Sequence, residues 1–351
     1  FPDWAGIDSL LIQDELTEFN FAQDYLSWWI PNDWDSYERI YQTTPLSKSP
    51  GVNTPFTLRT ESGIHISIHE ANLTEYSGMT LVPDTVGSTN WHAALVPWPD
   101  GLKVRSSLPH KSPWRTIQLG RTATVLGNSH LILNLNEPSQ IADVSWIKPM
   151  KYMGIWWGMH IKTESWEQGP IHGATTQNAK RYIDYASANG FQGLLIEGWN
   201  LGWENWGKQD AYSFTETYDD FDIEQVTQYA ASNGMEIIGH HETGGDAESY
   251  DRRVEAAFQF YKKHGINSIK TGYAGDIFPR GQYHHGQWMV RHYRRIVELA
   301  AEYEITLDVH EPIKATGIRR TWPNMMTREG ARGNEYEAWS EGNPPEHTTI
   351  L

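Results

Sequence analysis

The sequence predicts two domains in series: a β-sandwich over residues 1–145, then a (β/α)8 barrel of the TIM type over 146–351. Three observations carry this prediction. The first 145 residues hold short β-branched and aromatic runs separated by Gly, Pro, Asn and Asp, the pattern of packed antiparallel sheets. From Lys151 onward, apolar strands alternate with amphipathic helices, which calls for a parallel sheet with right-handed crossovers. Polar residues follow most of those strands, and a barrel gathers all its strand ends around one mouth. An open doubly wound sheet would use a single switch point, and no glycine-rich dinucleotide fingerprint follows any strand.

In the first half, Thr54–Leu58, His65–His69, Met79–Val82, Ala94–Trp98 and Thr116–Leu119 read as strands. Leu131–Leu135 alternates leucine and asparagine, and Asn136-Glu-Pro-Ser-Gln140 breaks the pattern as a linker. In the second half, Tyr152–Met159, Gly193–Glu197, Met235–Gly239, Ile266–Thr271 and Thr306–Val309 read as five strands. The helices between them are Thr176–Asn189, Ile223–Ser232, Arg252–His264 and Gln287–Tyr303. Asn233-Gly234 and Gly265 supply stops. A full barrel takes about 250 residues and only about 200 follow Lys151, so a chain truncated at both ends is expected.

The formal charge of −16 argues against nucleic acid or an anionic membrane as partner and suits a neutral substrate beside a metal cation. No apolar run approaches the roughly 20 residues of a membrane span. There is no cysteine, so disulfides are excluded. The opening Phe1-Pro-Asp-Trp carries no signal-peptide pattern, and an already removed leader stays open. Seventeen tryptophans are many for 351 residues. Indole faces stack on sugar rings, and about a third of them are expected to face ligand.

The chemistry concentrates at strand ends: His160, Glu197, His240 with Glu242, Lys270, and His310 with Glu311. Glu329 and Glu335 follow on a glycine-punctuated segment. A straight strand would hold those two carboxylates about 20 Å apart. An ideal helix would turn them about 240° away from each other. Gly330 and Gly333 permit a folded loop that brings both into one cavity. Such a cluster suits a hard cation or acid/base catalysis, and its plain alternative is a set of solvated glutamates. Glu197 reads either as a sugar-binding residue or as structural support.

Three other readings were weighed. His69, His241 and His310 each precede a glutamate, but none forms His-Glu-x-x-His, which excludes a zincin. His160, His240, His241 and His310 could form the metal cluster of an amidohydrolase-like barrel. That class needs a His-x-His pair on the first strand, and none is present. A non-catalytic sugar-binding protein would bind oligosaccharide without turnover.

Several stretches resemble glycoside hydrolase family 97. They are Tyr152-Met-Gly-Ile-Trp-Trp-Gly-Met-His160, His172-Gly-Ala-Thr-Thr176, Leu195-Ile-Glu-Gly-Trp-Asn200, His240-His-Glu-Thr243, Asp308-Val-His-Glu-Pro312 and Thr327-Arg-Glu-Gly-Ala-Arg-Gly-Asn-Glu335. Trp28-Trp-Ile-Pro31 and Ile68-His-Glu-Ala-Asn72 resemble the family's N-terminal β-supersandwich. The resemblance implies a periplasmic or secreted, calcium-dependent, exo-acting α-glycosidase. The nearer branch is the inverting α-glucosidases of starch utilisation; the other branch retains and includes α-galactosidases. It further implies Glu335 as general acid and Glu242 with Glu311 as the carboxylates that activate water. Glu70, Glu311, Glu329 and Glu335 match the calcium ligands, and His240, Lys270 and His310 the sugar contacts. Retaining members carry an aspartate nucleophile at the end of the fourth barrel strand, where Gly272 stands here, with Asp276 four residues on.

Overall fold

The computed structural model describes residues 8–345 together with Pro2, Gly6 and His347. Most of the opening Phe1–Trp4 run and the last residues of the chain therefore lie outside the described residues. The first half folds into antiparallel sheets. Five strands pair in the order Trp114–Gly120, His65–Ala71, Phe56–Arg59, Leu26–Trp29 and Gln42–Pro45. Four more pair as Glu18–Asn20, Asn90–Leu95, Met79–Pro83 and Val52–Asn53. Alternation decides what lies between the sheets. Phe56 and Leu58 on one strand and Leu81, Trp91 and Leu95 on the other sheet are fully buried in one cluster.

Two short helices, Ala123–Gly127 and Leu131–Asn134, lead to the second domain. The leucine–asparagine alternation thus forms a helical turn. The second domain is a six-stranded parallel sheet in strict sequence order: Tyr152–Ile155, Gly193–Ile196, Glu236–Glu242, Ser268–Gly272, Thr306–Val309 and Met325–Arg328. These six strands make a half-barrel, and no seventh parallel strand occurs among the described residues. The sixth strand, Met325–Arg328, was not anticipated; its Thr and Arg dilute the apolar signal. The first strand also ends sooner than expected, because Trp157–His160 turns into a short helix.

Capping fixes where the helices begin. Asp246 accepts a hydrogen bond from the Ser249 amide at 3.1 Å, so the third long helix starts at Ala247, five residues ahead of the periodicity-based estimate. Asp222 caps Ile223–Ser232 through the Gln225 amide at 2.9 Å. The helices bury one face against the sheet; Val254, Ala257, Phe258 and Tyr261 are inaccessible to solvent or nearly so. No helix is long and apolar enough to cross a membrane.

The two domains share an extensive polar interface. Asp35, in a loop of the first domain, meets His284 ahead of the last long helix, with Oδ1 2.8 Å from Nδ1. The other ring nitrogen donates to the Tyr273 carbonyl at 2.8 Å. Burial disfavours charge on His284, but the Asp35 hydrogen bond and charge, with a contribution from Glu311, raise its pKa above the ordinary 6.5. Burial would raise Asp35, and the bonds and charge of His284 with the nearby His285 bring it below 3.8 instead. The His284 contribution to stability is whole below about pH 6.5 and is lost as pH rises through its folded pKa. The Asp35 contribution is whole above about pH 3.8 and is lost as pH falls through its lowered value. Asp35→Asn should therefore lower Tm more at pH 5.5 than at pH 9. The difference should be on the order of 1–2 °C, because the carboxylate is partly solvated. Thermal scans of both forms at the two pH values check this.

Candidate active site

The C-terminal ends of the six parallel strands open into one cavity of about 470 Å³. It is lined by Glu197, His240, Glu242, Lys270, His310, Glu311, Glu329 and Glu335, so eight of the nine expected site residues meet in one place. Strand register explains the convergence. His240 lies beside Lys270, and Glu242 beside Gly272, in adjacent parallel strands.

Glu197 ends the second strand, is 3% exposed, and receives the Lys270 ammonium at 2.6 Å. His240 Nε2 stands 3.9 Å from the same carboxylate oxygen. Burial disfavours the Lys270 charge, but Glu197 outweighs burial and holds the amine protonated. A fixed cation at the cavity wall is suited to holding sugar hydroxyls.

His310 follows the fifth strand and bridges two acids. Its Nδ1 lies 2.8 Å from Glu329 and its Nε2 3.5 Å from Asp308. Asp308 also accepts from the Tyr152 hydroxyl at 2.6 Å and from Thr327 at 2.8 Å. Burial and Lys270 work against charge on His310, yet its two acidic partners lift its pKa to about 10. The ring is therefore an imidazolium, closest to Glu329 and with Asp308 at longer range. Asp308 had no assigned role in the sequence reading. Its signal was available: an acid inside the short apolar strand Thr306–Val309 needs partners.

Glu242 and Glu311 form the core of the acid/base arrangement. One oxygen of Glu242 accepts from the amides of Thr243 at 3.0 Å, Gly244 at 2.8 Å and Ala274 at 3.2 Å. The other oxygen faces Gly272; a Cβ built there would lie 2.2 Å from it. Glu311 accepts from the Tyr273 amide at 2.7 Å. Its φ is +46°, a left-handed conformation that costs a residue with a side chain and clusters at functional positions. Burial and the mutual repulsion of the two carboxylates raise the pKa of Glu242, while burial is the main cause for Glu311.

In the same cavity, Glu38, Glu329 and Glu335 bring one oxygen each within 4.8 Å of one another. Burial first, then repulsion from Glu329, pushes Glu38 up to about 8 and Glu335 to about 7. Burial would raise Glu329 too, but the His310 hydrogen bond and charge bring it down. Three hard oxygens at this spacing fit a cation such as calcium, and no soft ligand lies among them. Glu38 was missed. It sits in the loop Asn32–Ile40 of the first domain, almost 300 residues before Glu335, with no local pattern to mark it. The Tyr336 hydroxyl holds it at 2.9 Å.

Glu70 requires correction. It does not line the cavity. It is fully buried, with Lys314 at 2.8 Å on one oxygen and Arg115 at 2.6 Å on the other. Glu70 is already neutralised by two cations and bonded to the Met79 amide, and Glu38 is the first-domain acid that reaches the acidic cluster.

Trp156, Trp166, Trp203, Trp206 and Trp339 complete the cavity wall. Trp166 and Trp203 stack at 4.6 Å between ring centres, and Trp203 stacks on His240 at 5.8 Å. Several carboxylates lining one strand-end cavity with indole walls suit glycoside chemistry.

Comparison with known proteins agrees with that class. The sequence model of Glycoside hydrolase 97 matches residues 156–331, and that of the Glycosyl-hydrolase 97 N-terminal domain matches residues 1–138. The chain belongs to glycoside hydrolase family 97. A solved family 97 enzyme from Pseudoalteromonas sp. strain K8, in complex with acarbose, is 47% identical with a TM-score of 0.95, over 100% of this chain and 55% of that one. A variant of the same enzyme was solved with panose. A retaining alpha-galactosidase of Bacteroides thetaiotaomicron is 26% identical over 87% of this chain and 46% of its own length. A probable retaining alpha-galactosidase of Streptomyces bingchenggensis is 25% identical over 96% of this chain and 48% of its own length. The chain thus spans about half the length of the curated relatives it matches.

Proposed function

We propose that this chain forms the substrate-binding and acid/base face of an exo-acting, inverting α-glucosidase that uses calcium and cleaves α-linked gluco-oligosaccharides. The observation that carries the reading is the contact between Gly272 and Glu242. A retaining enzyme needs a carboxylate nucleophile against the sugar, and the strand end where it would stand has no side chain. The space is taken instead by Glu242, a carboxylate fixed by three amides and suited to orienting water. In this reading Glu242 and Glu311 together draw the proton from a water on one sugar face. Glu335 gives a proton to the departing oxygen on the other face. Lys270, His240 and His310 hold the sugar hydroxyls, with Glu197 fixing the Lys270 ammonium. Glu38, Glu311, Glu329 and Glu335 would hold calcium, whose positive charge would offset the repulsion among them. The acarbose and panose complexes of the 47% identical relative support α-glucoside substrates.

A retaining α-galactosidase is the second reading, favoured by the names of the two curated relatives. It needs another nucleophile. Asp276 is the nearest acid along the chain, but its side chain is 91% exposed and paired with Arg280, and it does not line the cavity. The deciding experiment offers the full-length protein aryl α-glucoside and aryl α-galactoside, with proton NMR of the anomeric signals before mutarotation. β-Glucose as first product is expected. An α-anomer, or turnover of the galactoside alone, would overturn the proposal. Chelation should lower both rate and Tm and calcium should restore both, since a ligand bound to the folded state adds stability.

A further inference from the structure

The segment that follows Glu311 is held almost entirely by the other domain. Lys314 is 5% exposed and lies three residues beyond Glu311. Its ammonium meets Glu70 at 2.8 Å, donates to the Thr54 hydroxyl at 2.8 Å and also reaches the Met79 carbonyl. Three donors thus find three acceptors, all in the N-terminal sheets. Glu70 is held in turn by the Met79 amide at 2.9 Å and by Arg115, whose fork is completed by Glu15 at 2.7 and 2.5 Å. The neighbours of Lys314 are pinned in the same way. Ile313 packs against the cores of both domains. The Ala315 carbonyl meets His69 Nε2 at 2.9 Å, and the Thr316 carbonyl accepts from the Asn72 amide at 2.9 Å. On the barrel side, the Tyr293 hydroxyl holds the Glu311 carbonyl at 2.6 Å.

Glu311 itself sits at a φ of +46°. A residue with a side chain keeps such a conformation only where its surroundings over-determine it. Pro312 restricts the next step of the chain, and residues 313–316 are the part that the other domain grips. We infer that Lys314 and Glu70 are positioning residues: their buried ion pair clamps the strand-end loop to the N-terminal domain and thereby keeps the Glu311 carboxylate in register with Glu242. The first domain then serves the chemistry in two ways, through Glu38 at the cavity and through this clamp behind it. The inference rests on the proposed role of Glu311.

The test uses the full-length protein. Removing Lys314 alone leaves the Glu70 charge uncompensated and risks the fold, so the main variant is E70Q/K314M, which removes both charges together. Arg115 keeps Glu15 as its partner. The expected result is a fall in kcat of about 10²-fold with KM within about threefold, as displacement of a reacting group by about 1 Å produces. Amide exchange over residues 306–317, read by mass spectrometry, should speed up at least tenfold. T54V removes one acceptor and keeps the ion pair; it should fold normally and lose kcat by several-fold. Q287A is the control, since Gln287 ties the same two domains elsewhere, through the Trp98 indole and the Arg105 amide. Its kcat should match the wild type even where its Tm falls. Wild-type kcat and unchanged exchange in E70Q/K314M and T54V would overturn the inference, as would an equal loss of kcat in Q287A. If the wild type turns over no glycoside, the functional reading fails by itself, and the exchange measurement still decides whether the clamp orders the loop.

Discussion

Glu335→Gln in the full-length protein is expected to lower kcat on an α-linked gluco-oligosaccharide by about 10³-fold, within the span of a lost general acid. The loss should be far smaller on an aryl α-glucoside with a strongly acidic phenol, whose oxygen leaves without help from a proton. Glutamine keeps the size and the hydrogen bonding but has no proton to give, so KM should stay within a few-fold. The split follows from where Glu335 stands, on the 3₁₀ turn Asn334–Ala338 and in the cavity that the strand-end carboxylates line. Equal losses on both substrates would show that Glu335 serves binding or calcium alone and would move the acid elsewhere. Steady-state kinetics on the two substrates, with calcium saturating, decides between them.

Gly272→Ala is expected to reduce kcat by about 10²-fold and to lower Tm by a few degrees, the usual cost of overpacking a buried site. The added methyl would lie 2.2 Å from a Glu242 oxygen, well inside any permitted contact. A flexible surface glutamate would swing aside at little cost. Glu242 is 6% exposed, and three backbone amides hold its other oxygen, so any movement sacrifices those bonds or displaces the strand end. Either way the water it orients leaves the near-attack geometry. An alanine variant with wild-type kcat would remove Glu242 from the catalytic group.

The order of elements in the second half was legible because each parallel strand is an apolar run with a helix stop between it and the next. Ile223–Ser232 and Thr306–Val309 end where the sequence places them. The helix starts at Thr176, Ile223 and Gln287 were equally legible, but the cap at Asp246 precedes the first apolar repeat of its helix, so periodicity begins too late to mark that start. The sixth strand escaped notice because Thr327 and Arg328 interrupt its apolar run. At the site, each carboxylate that sits at a strand end was identifiable, since strand ends converge by topology alone. Glu38 and Glu70 could not be sorted the same way. Both lie in the first domain, and which of them reaches the cavity depends on how the two domains dock. Docking is set by contacts such as Asp35 with His284 and Lys314 with Glu70, each between residues more than 240 positions apart. No local pattern encodes such a pairing.

The indole wall of the cavity also has an optical meaning. Five of the chain's seventeen tryptophans line this one space, and Trp206 and Trp339 are about half exposed there. A sugar that docks against them displaces water from two half-exposed rings. Emission from those rings then moves to the blue, while the fully enclosed Trp91 and Trp199 contribute an unchanging background. The protein thus carries its own reporter, and occupancy of the cavity can be titrated with unlabelled oligosaccharide, in catalytically silent variants as well as in the wild type.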